Sequence, residues 1–284
     1  MTGEYLWIEG IPFPKTTTED LRSLQDQFVV RDEDVITVSY PKSGTNWIKE
    51  IVNLIHTKGD SSWVQSTLSW ERSPWLEVKE QLDLVVNQKG PRSYTSHLPV
   101  QFFPKSFFKS KAKLIYIMRN PRDVLISAYH FNKTVKVIKN TDSFEEHFEW
   151  FLQGKVMFGS WFDHVRGWLQ MKGKENFLVI SYEELYQDIR ASVERVSQFL
   201  GVKLSPGELN SVLKNVSFQA MKDNKMSNFS LVSDAYMDHS KGKLMRKGIT
   251  GDWKNHFTVA QSEAFDQVYR EKTAGLPPGL FPWD

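Results

Sequence analysis

Three short runs of β-branched and aliphatic residues, VITVSY (35–40), KLIYIM (113–118) and NFLVIS (176–181), are each followed by a segment of helical period. Strands that stay apolar at consecutive positions are buried on both faces, the condition of a parallel sheet covered by helices. Strand, helix, strand, helix in this order predicts an α/β fold with a central, mostly parallel, doubly wound sheet flanked by helices. After the first run, Trp47, Ile48, Ile51, Leu54 and Ile55 recur at helical spacing. After the second, Pro121 stands where a first-turn proline is favoured and Asp123 complements the helix dipole. The third leads into YEELYQDIRASVERVSQFLG, which reads as one amphipathic helix closed by Gly201.

The remaining segments read less sharply. SFEEHFEWFLQG (143–154) and GSWFDHVRGWLQM (159–171) have helical period and many aromatics, the pattern of core helices. The stretch WERSPWLEVKEQLDLVVNQKGPRSYTSHLP is irregular, and Pro74, Gly90 and Pro91 mark loops in it. From Asn224 to Gly251 the chain is polar, and we read it as a long functional loop.

At 284 residues the prior is one domain over residues 1–284. A net charge of +2 leaves no footprint for nucleic-acid or membrane-surface binding. With no cysteine, neither a disulfide framework nor a thiolate metal site is possible. No HExxH and no carboxylate cluster with ligand spacing is present, so no metal is expected. The start MTGEYLWIEGIPFP lacks a basic region, and no run approaches the ~20 apolar residues that span a bilayer. A soluble, cytoplasmic protein is the expectation.

The junction YPKSGTNW links the first strand to its helix. A strand ending at Tyr40 and a helix beginning near Asn46 leave PKSGT as a tight loop whose backbone N–H groups converge at a helix N-terminus, a site suited to an anion. Gly44 allows close approach, Ser43 and Thr45 add hydroxyls, and Lys42 adds a point charge. An ordinary strand-to-helix turn with a surface lysine is the competing reading. The loop lacks the triphosphate-binding spacing GxxxxGK(S/T): its lysine precedes the glycine, and Thr37 stands where the first glycine would be.

YPKSGTNW resembles the 5′-phosphosulfate loop of the cytosolic sulfotransferases. RNPRDVLISAYHF (119–131), SYEEL (181–185), SFQAM (217–221) and RKGITGDWKNHFTVAQSEAF (246–265) resemble further motifs of that family, in the family's order. LWIEGIPFP, WERSPW, TSHLPVQFFPKSFF, NKMSN and LFPWD resemble its hydroxysteroid branch, which includes bile-salt and dehydroepiandrosterone sulfotransferases. The resemblance implies transfer of a sulfuryl group from 3′-phosphoadenosine 5′-phosphosulfate to the hydroxyl of a hydroxysteroid, bile acid or related apolar alcohol, leaving adenosine 3′,5′-bisphosphate.

It also implies roles. Lys42, Ser43, Gly44, Thr45 and Asn46 would hold the 5′ end of the donor. Arg119 and Ser127 would bind the 3′-phosphate, with Arg246, Lys247 and Gly248 closing over it; alone, the last three are more often a solvated charge cluster. Trp47, Tyr182, Ser217, Phe218 and Met221 would surround adenine, where aromatic faces and a thioether suit a purine. Val216 stands where the family commonly carries a hydroxyl, so a side-chain hydrogen bond there is absent and a backbone contact is what remains. His97, in TSHLP, would be the general base, imidazole having a suitable intrinsic pKa, and Lys42, Lys105 and Ser127 would complete the catalytic set.

Phe13, Trp70, Trp75, Phe131 and Tyr236, with His97, would contact the acceptor. Asn132, Val135 and Val137 depart from the branch pattern and imply a wider or more polar pocket, so bile acids and simple alcohols stay open alongside hydroxysteroids. Lys254, Thr258, Val259 and Glu263 match the spacing KxxxTVxxxE of a small homodimer contact; read alone, they are a helix start capped by Thr258. A nucleotide-dependent kinase and a non-catalytic steroid- or nucleotide-binding protein are the alternatives. The loop spacing disfavours the first, and Lys42 together with His97 disfavours the second.

Overall fold

The computed structural model describes residues 4–284. Its centre is a four-stranded parallel sheet of β3 (Val35–Ser39), β4 (Ser93–Ser96), β5 (Lys113–Met118) and β6 (Phe177–Ser181), in the order β4-β3-β5-β6. A short antiparallel hairpin, β1 (Leu6–Ile8) with β2 (Ile11–Phe13), precedes it. The expected doubly wound arrangement is present, with a strand that the sequence reading left as loop. β4 has the sequence SYTS, too short and too polar to register as a buried strand, and it pairs with β3 from Val35↔Ser93 to Val38↔Ser96.

Alternation along β5 divides the interior into two cores. Leu114, Tyr116 and Met118 join one apolar cluster, while Ile115 and Ile117 join the other. Successive side chains of a strand point to opposite faces, so a strand covered on both sides must be apolar throughout, which KLIYIM is. On one face the Thr45–His56 helix packs through Ile48, Ile51, Leu54 and Ile55, all fully buried. On the other lie the Phe144–Leu152 and Trp161–Leu169 helices, whose Phe148, Phe151, Trp161 and Trp168 fill the core as their period predicts.

The stretch after β6 departs from its expected form. Instead of one helix it holds two, Tyr182–Gln187 and Ile189–Leu200, separated by Asp188 at φ −146°. The Asp188 carboxylate accepts from Ala191 N at 2.9 Å and starts a new helix, a strong N-cap preference that overrides a continuous apolar stripe. Gly201 ends the second helix in the left-handed region at φ 75°, as expected. The segment 224–251 contains no helix and no strand, only turns and an isolated bridge between Val135 and Met237.

Chain crossings determine where a ligand can enter. From β3 the chain moves to β4 on one side and then crosses to β5 on the other. The loops beyond the carboxyl ends of β3 and β5 therefore diverge and leave a crevice between them. The PKSGT loop follows β3 and Arg119 follows β5.

Candidate active site

The PKSGT loop has the backbone of an anion cradle. Lys42 and Gly44 both lie in the left-handed region, at φ 68° and 103°, and fold the loop back over the start of the Thr45–His56 helix. No side chain caps that helix, so its first N–H groups stay available for a ligand. A Cβ added at Gly44 would lie 2.7 Å from the Tyr182 ring, so glycine is required by both conformation and space. Ser43 Oγ and Asn46 Oδ1 are buried without a hydrogen-bond partner, and Thr45 Oγ1 pairs with Ser39 Oγ at 2.7 Å. The uncapped N–H groups of this positive helix end and the unpaired Ser43 hydroxyl can donate to an oxyanion, whereas Asn46 Oδ1 can only accept.

Charge converges on the same place. Arg119, just beyond β5, donates to Lys42 O at 3.2 Å and to Ile249 O at 2.9 Å, and its guanidinium lies 4.1 Å over the Tyr182 ring. One side chain thus joins the loop after β3 to the long loop that carries Arg246 and Lys247. Those two cations converge on Asp252, at 2.8 and 2.7 Å. Burial alone would raise the Asp252 carboxyl, but hydrogen bonds from Lys247, Asn255 and Arg246 hold it well below the usual carboxylate range. Asp123, on the Pro121–Asn132 helix, accepts from Gly251 N at 2.7 Å and Trp253 N at 3.0 Å and anchors the far end of this loop. Burial, followed by repulsion from Arg119 and Arg246, depresses the Lys42 ammonium to about 7.

His97 follows β4 and is clamped from four directions. Its backbone N–H donates to Glu77 Oε1 at 2.7 Å, and its carbonyl accepts from His164 Nε2 at 3.0 Å. His164 is itself held by the Tyr116 hydroxyl at 2.9 Å, and Trp168 Nε1 donates to the next carbonyl, Leu98 O, at 3.0 Å. The His97 ring lies 4.4 Å from Trp75 and 5.3 Å from Phe158, centroid to centroid. Its Nδ1 is 2.7 Å from Ser39 O, a carbonyl that can only accept, so Nδ1 carries the hydrogen and Nε2 keeps its lone pair. Burial pushes the imidazole down to about 3, so the ring is neutral near pH 7. Glu77, His164 and Trp168 were not singled out from the sequence: the last two read as core-helix aromatics, and a lone glutamate in a proline-broken stretch carries no pattern.

A cavity of about 690 Å³ connects these groups. Its wall includes Lys42, Gly44, Thr45, Arg119 and Ser127, then Trp47, Tyr182, Val216, Phe218 and Met221. It also includes His97, Trp70, Trp75, Phe131 and Tyr236. The Lys42 ammonium lies 3.9 Å over the Phe131 ring, which joins the cationic and aromatic parts of the wall. Val216 O accepts from Trp47 Nε1 at 2.9 Å, so its backbone carbonyl is already used within the protein.

The sulfotransferase domain model matches residues 32–277. The chain belongs to the sulfotransferase family. This sulfotransferase is 57% identical to human Sulfotransferase 2A1, the alignment covering all of both chains. It is 55% identical to the 3-beta-hydroxysteroid sulfotransferase of Cavia porcellus, over 100% of this chain and 99% of that one. Among solved structures, mouse sulfotransferase SULT7A1 complexed with PAP is similar at 31% identity and TM-score 0.82, over 96% of each chain.

Five of the residues expected at the site lie off the cavity wall in this sulfotransferase. Lys105 lies on an exposed 3-10 turn and pairs with Asp26 at 2.6 Å, so its charge is spent at the surface and not at the cavity. Phe13 is fully buried behind the wall, edge-on to Phe158 at 5.5 Å. Ser217 caps the Phe218–Asp223 helix, its Oγ accepting from Ala220 N at 3.2 Å. Asn132 is buried away from the cavity, whereas Val135 and Val137 line it, so the wall gains width from the valines and no polarity from the amide. Ser43 is fully buried beneath the loop, its hydroxyl one of the unpartnered atoms.

Proposed function

We propose that the protein transfers the sulfuryl group of 3′-phosphoadenosine 5′-phosphosulfate to the hydroxyl of a hydroxysteroid or a related apolar alcohol. The observation that carries this reading is one cavity whose wall joins an uncapped helix N-terminus flanked by Lys42 and Arg119 to an aromatic chamber with a neutral, fixed histidine. The relatives' names support the steroid class, and the PAP complex of the mouse neighbour supports the nucleotide.

The donor, when bound, supplies an activated sulfuryl group on its 5′-phosphate. The chain's own residues do the rest. Lys42, Gly44, Thr45 and Asn46 hold the 5′ end; Arg119 and Ser127, with Arg246, Lys247 and Gly248 above them, hold the 3′-phosphate. Trp47, Tyr182, Phe218 and Met221 bracket adenine. His97 Nε2 takes the acceptor's proton as its oxygen attacks, and Lys42 balances the charge that grows on the departing phosphate. Trp70, Trp75, Phe131 and Tyr236 bury the acceptor, gaining about 25 cal/mol for each Å² of apolar surface covered.

Calorimetry tests the donor half. Adenosine 3′,5′-bisphosphate is expected to bind one per chain, with ATP at least about tenfold weaker because no second glycine cradles a triphosphate. Equal affinity for ATP would count against the reading. The ammonium of Lys42, depressed to about 7 by burial and its neighbouring arginines, is restored by a bound anion, so binding takes up protons at pH 8 and takes up few at pH 6, where the lysine is already charged. Titration in buffers of different ionisation enthalpy reads that uptake directly. Lys42→Met should abolish it.

The C-terminal contact is part of the same reading. Thr258 caps the Val259–Thr273 helix, its Oγ1 accepting from Gln261 N at 3.1 Å, and Val259 beside it is 77% exposed. A homodimer closing over Val259, with Lys254 and Glu263 at its edges, explains an aliphatic side chain left in water. Sedimentation at micromolar concentration should show a dimer, and Val259→Glu a monomer with its melting temperature unchanged.

A further inference from the structure

Glu77 is 1% exposed and lines the cavity beside His97. Its backbone is fixed on both sides: Leu76 N donates to Thr95 O at 2.9 Å, Thr18 N donates to Glu77 O at 2.8 Å, and Thr17 bridges Val78. Its Oε1 accepts the His97 N–H at 2.7 Å, while Oε2 is buried with no hydrogen-bond partner. A carboxyl used only to position His97 has no need to leave its second oxygen orphaned in a substrate cavity. We propose that Glu77 Oε2 is a second polar contact for the acceptor hydroxyl, holding it beside His97 and selecting alcohols over acceptors with an anionic group at that point.

The inference rests on the acceptor reading above and deepens it. Burial pushes the carboxyl up to about 7, against the pull of the His97 N–H, its own N–H and the nearby Ser96 hydroxyl. In its protonated form Oε2 donates to a lone pair of the acceptor oxygen, whose single hydrogen is then left for His97 Nε2. Ionised, it has no hydrogen to donate, and it opposes any anion placed next to it. The other titratable groups around this part of the molecule are His97, already neutral; Lys42 in the phosphate loop; Lys49, whose buried ammonium lies 5.1 Å from the Trp75 ring; and Glu71 and Glu80 in the wall. All of these are unchanged in a Glu77 variant.

Glu77→Gln is the informative variant, because its amide oxygen still accepts from His97 N and its NH2 occupies the place of Oε2 at every pH. With donor saturating, acceptor KM of the parent should rise on the order of tenfold between pH 6 and pH 8.5, following a group near 7. In Glu77→Gln that rise should vanish, leaving acceptor KM the same at both ends of the range. Identical KM–pH curves for the two proteins would overturn the proposal and reduce Glu77 to a prop for His97. A parent that transfers sulfuryl to no hydroxysteroid would overturn the acceptor reading itself, a different result from the same assay.

Discussion

His97→Ala should lower turnover with a hydroxysteroid by about 10²–10⁴-fold, the usual contribution of a positioned base. The loss should fall on kcat, because the ring's hydrogen bonds run to Ser39 O and its neighbours are Trp75 and Phe158, none of them part of the phosphate loop. Affinity for adenosine 3′,5′-bisphosphate should stay within about twofold of the parent, a split that separates chemistry from binding. The backbone clamp by Glu77, His164 and Trp168 is independent of the imidazole, so the alanine variant keeps the cavity's shape. Steady-state kinetics with the folded variant decide it: undiminished kcat removes His97 from the reaction.

Arg119→Met should weaken bisphosphate binding by about 2–5 kcal/mol, some thirtyfold to several-thousandfold, the range for deleting one member of a buried, hydrogen-bonded charge pair. Two effects combine in this side chain. In the proposed reading it offers its guanidinium to the 3′-phosphate; in the structure it ties Lys42 O to Ile249 O, so its removal also loosens the loop of Arg246 to Gly248 from the loop after β3. Methionine keeps much of the packing against Tyr182. The check is a calorimetric titration alongside a melting curve. An affinity within a factor of about three of the parent, in a protein of unchanged melting temperature, would place the 3′-phosphate elsewhere.

The β3–loop–helix unit, the Arg119 junction and the two core helices were legible because each is encoded by neighbouring residues. A buried strand, a first-turn proline or an apolar stripe is a local pattern, and so is the order of the family motifs. β4 was not legible: SYTS is a strand only because β3 offers it a partner, and tertiary pairing leaves no trace in four residues of which Tyr94 alone joins the apolar core. The supports of His97 were hidden for a similar reason. Glu77 and the His164–Trp168 pair, one turn apart on one helix, reach it from two separate parts of the chain, and nothing in the sequence predicts that meeting. Lys105 and Phe13 are the opposite case, legible as motif residues yet off the cavity wall. Their motifs are present, yet Asp26 captures the one and the core behind Phe158 takes the other.

In the proposed reaction this chain moves sulfuryl, and not phosphoryl, to an apolar alcohol. The most direct measurement supplies donor labelled with radioactive sulfur in its sulfuryl group, and in parallel ATP labelled at the γ-phosphate, with a panel of hydroxysteroids, and follows label into the steroid product, resolved from donor by chromatography. The account predicts labelled sulfated steroid from the first donor, none from the second, and loss of the signal in His97→Ala. Label arriving only from ATP, or from neither donor in a protein that binds the bisphosphate, would contradict it.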